Sequence, residues 1–259
     1  MEVLAQDEEK MKDLQGVYVL WLRDMKRYVR ARSRLFGSLG MPLFFLISFN
    51  LGFRRAQIPS LNISYTDFLA PGVVAMVVLF TSVFSGVSVV WDRQFGFLRE
   101  IMVAPISRTA IALGRILGGA TTAVVQGWIM LVVSLAIGFV PHFAGLLPAT
   151  LFMMLTAIAF TGVGVAISTL MKDIHGFQII INFFVFPVFL LSGAIFPVKE
   201  LGNAAFLAMI NPLSYGVDGI RWSLTGYTEM GPLHDLFALT AFSIAIVLLA
   251  SFLFERTEV

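Results

Sequence analysis

The chain has no cysteine. That excludes disulfides and thiolate metal sites and leaves the redox compartment open. Charge is scarce: only 13% of the 259 residues are Asp, Glu, Lys or Arg, about half the share in a soluble domain. The histidines, His142, His175 and His234, are not spaced with a carboxylate or with one another as metal ligands are. The lysines are followed by Met, Asp, Arg, Asp and Glu, so no glycine-rich phosphate loop ends in Lys-Ser or Lys-Thr. No serine sits in a nucleophile elbow. These absences argue against an enzyme and against an ATP site on this chain, and a net charge of +2 gives no sign of nucleic-acid binding.

What is present is apolar. Hydrophobic residues make up 58% of the sequence, with 25 Phe against 5 Tyr. This is the composition of an integral membrane protein. A membrane helix needs about 20 apolar residues, and the runs almost free of charge supply six candidates: Leu35 to Phe53, Phe68 to Val90, Ile111 to Val140 with Arg115 near its start, Leu146 to Met171, Ile174 to Val198, and Leu236 to Phe254. Pro141, His142, Gly145 and Pro148 break the tract between the third and fourth, which should be antiparallel neighbours. The expected fold is all-α and polytopic. The first 34 residues are not expected to be a cleavable signal, because the apolar run starts only at Leu35, after a long charged segment.

Lys and Arg collect on the cytoplasmic side of membrane proteins. With the N-terminus inside, 14 of the 18 fall inside, and Arg54, Arg55, Lys199 and Arg221 fall outside. Both termini are then cytoplasmic, in a multi-pass protein expected in the cell membrane. Met11 to Arg34 reads as an amphipathic helix: Leu14, Val17, Tyr18, Trp21, Met25, Tyr28 and Val29 recur at helical spacing, with Arg23, Lys26, Arg27 and Arg30 on the other side. Such a helix suits the bilayer interface; a plain positive-inside anchor is compatible with it. The outer loop 199–235 is too apolar to be simply solvated. Two short half-inserted helices interrupted at Pro212 and Gly216 fit it, and a surface amphipathic loop is the alternative.

Trp91 to Arg108, WDRQFGFLREIMVAPISR, combines charge with apolar teeth: Asp92, Arg93, Arg99, Glu100 and Arg108 beside Phe95, Phe97, Leu98, Ile101 and Met102. Each charge at a bilayer centre costs about 2.5–3.5 kcal/mol, so the segment belongs in water, where it is suited to touch another protein. The spans carry almost none of the carboxylates or arginines that ion-coupled carriers use. Energy for transport would therefore come from another chain, with this loop as the port. Thr81, Ser85 and Ser88 share one face of the second span, Gln178 and Asn182 one face of the fifth, and Gly162 and Gly164 lie in the fourth. Each set reads either as helix packing or as the lining of a path. Phe186 and Phe189 are further path candidates, and Pro187 should kink the fifth helix.

Three stretches carry a family resemblance. Asp92-Arg93, Gly96, Leu98, Glu100, Pro105 and Ser107-Arg108 resemble the signature of type-2 ATP-binding-cassette (ABC) exporter permeases. Leu191 to Pro197 is similar to that family's end of the fifth helix. Asn211-Pro212-Leu213-Ser214-Tyr215, with Asp218 and Arg221, is similar to its outer re-entrant motif. The resemblance implies residues 1–34 as a cytoplasmic N-terminus with an interface helix, 35–259 as a six-helix transmembrane domain, 91–108 as the coupling loop and 199–235 as the re-entrant segment. It implies a dimer with a second permease copy and an ATPase on a separate polypeptide, which holds the ATP and magnesium while this chain holds no cofactor. That ATPase would dock at Asp92, Arg93, Phe95, Gly96, Phe97, Leu98, Arg99, Glu100, Pro105 and Arg108. Pro197, Asn211, Pro212, Tyr215, Asp218 and Arg221 would shape the outer segment. The Phe-rich spans and the loop motif favour the drug-resistance branch and an amphipathic or lipophilic cargo. A polysaccharide or glycolipid exporter of the same superfamily, and a non-transporting structural subunit, are the alternatives.

Overall fold

The computed structural model describes residues 2–53, 63–97, 100, 103–104, 106–171 and 173–256, and of 2–9 and 32–37 the backbone alone. The expectations at Leu98, Arg99, Ile101, Met102, Pro105, Lys172, Arg54 and Arg55 lie outside the described residues. Every element is a helix: α1 Glu2–Arg30, α2 Arg32–Phe53, α3 Tyr65–Ser85, α4 Val87–Gln94, α5 Arg108–Leu135, α6 Leu146–Leu170, α7 Ile174–Leu190, α8 Ala205–Ile210, α9 Pro212–Thr225 and α10 Pro232–Glu255. Short 3-10 turns precede α6 and α8. Tyr65–Gln94, Arg108–Leu135, Phe143–Leu170 and Pro232–Glu255 are long and apolar enough to cross a membrane, and Ser38–Phe53 and Ile174–Leu190 are shorter apolar helices. The protein is largely membrane-spanning.

Helix ends follow from local chemistry. Ser64 caps α3, accepting from the Asp67 amide at 3.1 Å and donating to its carboxylate at 2.7 Å. Ser107 and Asp173 cap α5 and α7 by accepting from the amides of Ala110 and Gly176. Pro148 does not interrupt α6; it lies within the first turn, where proline is tolerated because no amide partner is lost. α3 continues into α4 across Gly86, which keeps helical angles. Together they run for 30 residues, about 45 Å at 1.5 Å per residue, against about 30 Å of hydrocarbon. The pair is therefore longer than the apolar layer is thick.

α3 is the central post. Almost every residue from Phe68 to Leu79 is buried, against α2, α5, α6 and α9. Glycine sets the closest approach. A Cβ at Gly86 would lie 2.3 Å from the Gly164 carbonyl carbon, and one at Gly164 would lie 2.4 Å from the Val83 oxygen. Gly164 is thus a packing residue, as small residues between membrane helices are; Gly162 packs on Ile246 of α10.

The expected end of the fifth span moves. The helix expected over Ile174 to Val198 ends at Leu190, one turn after Pro187. The chain then turns through Gly193 at φ +76° and is held there by the Arg221 side chain. The N-terminal helix is packed on α5 from Asp13 to Asp24 as well as amphipathic. Asp13 accepts from the Ser107 amide, Leu20 meets Gly114, Asp24 meets Gly118, and Trp21 donates to Thr121 at 3.0 Å. This register makes α1 parallel to α5 and side by side with it. Leu14, Tyr18, Val19 and Val29 stay exposed.

Candidate functional site

The end of the bundle bearing α4 holds a cluster of four charges. Arg115 of α5 donates to Asp92 of α4 and reaches Asp24 of α1 at 3.4 Å, while Arg23 reaches the same Asp92 oxygen at 2.8 Å. The Arg115 side chain is 2% exposed and that of Asp92 9%. A charge so buried is tolerated only when paired. The pairing joins α1, α4 and α5 at one point. Arg93, next in sequence, donates to the Met171 and Thr169 carbonyls at 2.8 and 3.2 Å, completing the end of α6, whose last carbonyls have no helical partner. Asp92 and Arg93, expected to set register on another protein, thus spend their charge within the chain. Arg108 likewise donates to the Glu255 carbonyl at 2.6 Å, and Thr109 to the Glu255 carboxylate.

The apolar teeth point outward. Trp91 stacks on Phe95 at 5.3 Å between ring centres, and Phe95, Phe97 and Val103 are 64, 52 and 84% exposed. Gly96, at φ +80°, turns the chain between the two phenylalanines in a conformation that other residues rarely adopt. Glu100 is exposed. Five of the coupling residues predicted from sequence therefore divide into an inward charged pair, Asp92 and Arg93, and an outward stretch, Phe95, Gly96 and Phe97.

Beside the charge cluster a cavity of about 570 Å³ opens between α1, α2, α3, α4, α5 and α7. Thr81, Ser85 and Ser88 all line it, as do Asn182 and Phe186. Gln178 is exposed away from it, and Phe189 is fully buried, edge-on to Phe45 and Phe80. Gln126 of α5, not singled out from sequence, is the polar centre of the wall. It is 1% exposed, and its side-chain oxygen accepts from Ser38 at 2.8 Å and Thr81 at 3.4 Å. Tyr28 lies beside it. Asp24, Arg27 and Arg115 stand at one end of the cavity, and Met41, Met76, Phe80, Phe84 and Phe186 supply its apolar surface. Arg115 was read from sequence only as a charge near a helix end. Gln126, the one amide side chain within the third span, was the available signal for the wall.

At the opposite end, Arg221 is 1% exposed. It donates to the carbonyls of Phe68 at 3.2 Å and Gly193 at 2.8 Å, with its guanidinium 3.8 Å over the Phe68 ring. Asp218 accepts from Thr228 and from the amides of Glu229 and Met230. Asn211 caps α9, where Pro212 is the first residue, and donates to the Val188 carbonyl at 2.6 Å. Tyr215 donates to the Met209 carbonyl, and Pro197 precedes the 3-10 turn. Burial raises the Glu229 carboxyl above the usual carboxylate range. Arg221 and Asn211 tie this segment to α3 and to the end of α7, and Tyr215 and Asp218 knit it internally. Among the described residues no group of His, Asp and Glu could hold a metal ion.

Residues 15–225 match the family model described as ABC-2 type transporter. The chain is 27% identical over 241 residues to Nodulation protein J of Rhizobium leguminosarum bv. trifolii, covering 92% of each. It is 26% identical over 238 residues to the transport permease ycf38 of Cyanophora paradoxa, covering 90% of this chain and 82% of that one. It is 24% identical over 243 residues to the inner membrane transport permease YadH of Escherichia coli K12, covering 92% and 93%.

Proposed function

The chain belongs to the ABC-2 type transporter family, and from that premise we propose that it is the permease subunit of an exporter that carries an amphipathic, glycan-bearing lipid out of the cytoplasm. A permease of this family is non-catalytic and works with an ATPase on another chain. In our reading six helices cross the membrane: α2, α3 with α4, α5, α6, α7 and α10. Residues 35–259 form the transmembrane domain, both termini and the α4 end are cytoplasmic, and 199–235 is the outer re-entrant segment. Two copies would pair. The distribution of Lys and Arg supports the orientation, and the exposed Trp91, Phe95 and Phe97 support docking of the ATPase at 91–108. Apolar anchors carry most of the energy of such contacts.

The cavity wall carries the cargo assignment. The Phe-rich spans favoured a drug-like molecule for want of hydrogen-bonding groups. Folding brings Ser38, Thr81, Ser85, Ser88, Thr122, Gln126 and Asn182 to one space, faced by phenylalanine and methionine. A wall with both characters suits a hydroxyl-rich head on an apolar chain better than a uniformly lipophilic compound. The three relatives above are named for transport and nodulation, and none is named for drug resistance.

The test is ATPase stimulation of the permease and its partner ATPase in vesicles, across glycolipids, plain lipids and drugs. Glycolipids should stimulate, and Gln126→Leu should weaken their effect about tenfold, as loss of a buried hydrogen-bond group does. Stimulation by drugs alone, untouched by Gln126→Leu, would overturn the cargo assignment.

A further inference from the structure

The charges at the inner end of the cavity do not balance. Of those lining it, Arg115 is neutralised by Asp24 and by Asp92 behind it. Arg23 shares the same two carboxylates. Arg27 lines the cavity too, makes no ion pair with any described residue, and adds like-charge repulsion to Arg115. A second groove adjoins it, formed by Arg23, Lys26, Arg27, Arg30 and Ala31, and Arg27 belongs to both. Lys26, Arg27 and Arg30 are all exposed. A groove framed by basic side chains thus leads along α1 into the cavity, through a residue that no described carboxylate pairs.

We infer that Arg27, with Lys26 and Arg30, binds the phosphate of an anionic amphiphile whose apolar chain lies in the cavity against Met41, Phe80, Phe84 and Phe186. Phosphate esters supply the acceptor oxygens that guanidinium groups pair with most strongly. Asp24, the one carboxylate in the cavity lining, is spent on two arginines and does not oppose that charge. The inference rests on the cavity being the site of cargo binding, and adds that the head bears phosphate. The same chemistry could come from the cargo or from a resident anionic phospholipid.

The experiment uses the full chain in phosphatidylcholine vesicles containing about 5% of either a phosphatidylglycerol or a phosphatidylcholine with a photoactivatable acyl chain. Crosslinks are mapped by peptide. Phosphatidylglycerol should label the α2, α3 and α7 walls of the cavity well above phosphatidylcholine. Arg27→Gln should cut that labelling about tenfold, the loss of one charge-assisted contact. Arg27→Lys should retain most of it, Lys10→Gln should change nothing, and high salt should weaken it. If Arg27→Gln fails to fold, Arg30→Gln serves, with a loss of severalfold. Equal labelling by the two lipids, or labelling indifferent to both arginine variants, overturns the site. Adding the ATPase and ATP separates the sources: a labelled lipid that crosses leaflets identifies the site as the cargo's, and one that is bound but not moved identifies a resident lipid. Glycolipid-stimulated ATPase activity that persists in a protein showing no selective labelling would sink this inference alone. Selective labelling with no glycolipid response would sink the cargo assignment alone.

Discussion

Asp92→Asn tests the buried charge cluster most directly. In the native chain the Asp92 carboxylate serves two arginines, and Arg115 keeps only Asp24, at 3.4 Å, once that charge is gone. Removing one member of a buried pair costs about 3–5 kcal/mol. Two features place this site at the low end. Asp24 remains, worth about 5 kcal/mol of attraction at 3.4 Å and an effective dielectric of 20 before desolvation is subtracted. Arg23 is partly exposed, with 36% of its side chain open to solvent, and recovers hydration. A loss of about 3 kcal/mol follows, or roughly 6–12 °C in melting temperature for a chain of this length. Tryptophan fluorescence of the purified permease on heating measures it. Asp92→Asn with Arg115→Met should be more stable than Asp92→Asn alone, because the uncompensated charge is gone and Arg23 and Asp24 remain paired at 3.8 Å. A single variant within about 2 °C of wild type, or strictly additive losses in the double, would refute the reasoning.

Other consequences are open to the same treatment. Phe97→Asp, at an exposed position, should leave expression and melting within about 0.5 kcal/mol yet abolish ATP-driven transport in vesicles; unchanged transport would remove 91–108 as the coupling contact. Gly164→Leu forces side-chain atoms into the Val83 carbonyl, so expression of folded protein should collapse while Gly40→Ala, in a helix with open space around it, costs far less. The Glu229 carboxyl is held above its ordinary value by burial, so between the two values the folded chain binds a proton that the unfolded chain has released. Stability should therefore fall as pH rises through that window, and Glu229→Gln should flatten the fall; an identical pH profile in the variant would count against it.

The apolar helices were legible because charge is confined to a few short stretches, and no tertiary knowledge is needed to see where a bilayer would tolerate the chain. The end of α7 was not, because Leu191 to Val198 remains apolar in composition while Gly193 turns the backbone, anchored by an arginine 28 residues away. Thr81, Ser85 and Ser88 could be placed on one face by spacing. That this face meets Gln126 depends on the rotation of α5, which a hydrophobic pattern does not fix. The pairing of Arg115 was invisible for a similar reason: its carboxylates come from 23 and 91 positions away, and in sequence Asp24 looks like one acid among the bases of α1. Asp92 and Phe97 sit five residues apart and were read together; Asp92 still lies on the packed face of α4, while the chain from Phe95 to Phe97 has left that helix and is exposed.

Arg221 does more than fill a buried space. By holding Gly193, just past the last turn of α7, to Phe68 on the central post, it makes that end of α7 an axle. Among the described residues α7 packs mainly on α3 and α4, and Phe183 is left 85% exposed. The helix is 17 residues long, a rod of about 25 Å, so a tilt of about 10° about the axle carries its far end some 4 Å sideways. Asn182 and Phe186 ride on that rod. Movement at the Asp173 end thus widens or shuts the cavity like a pendulum door, while the hinge side stays still.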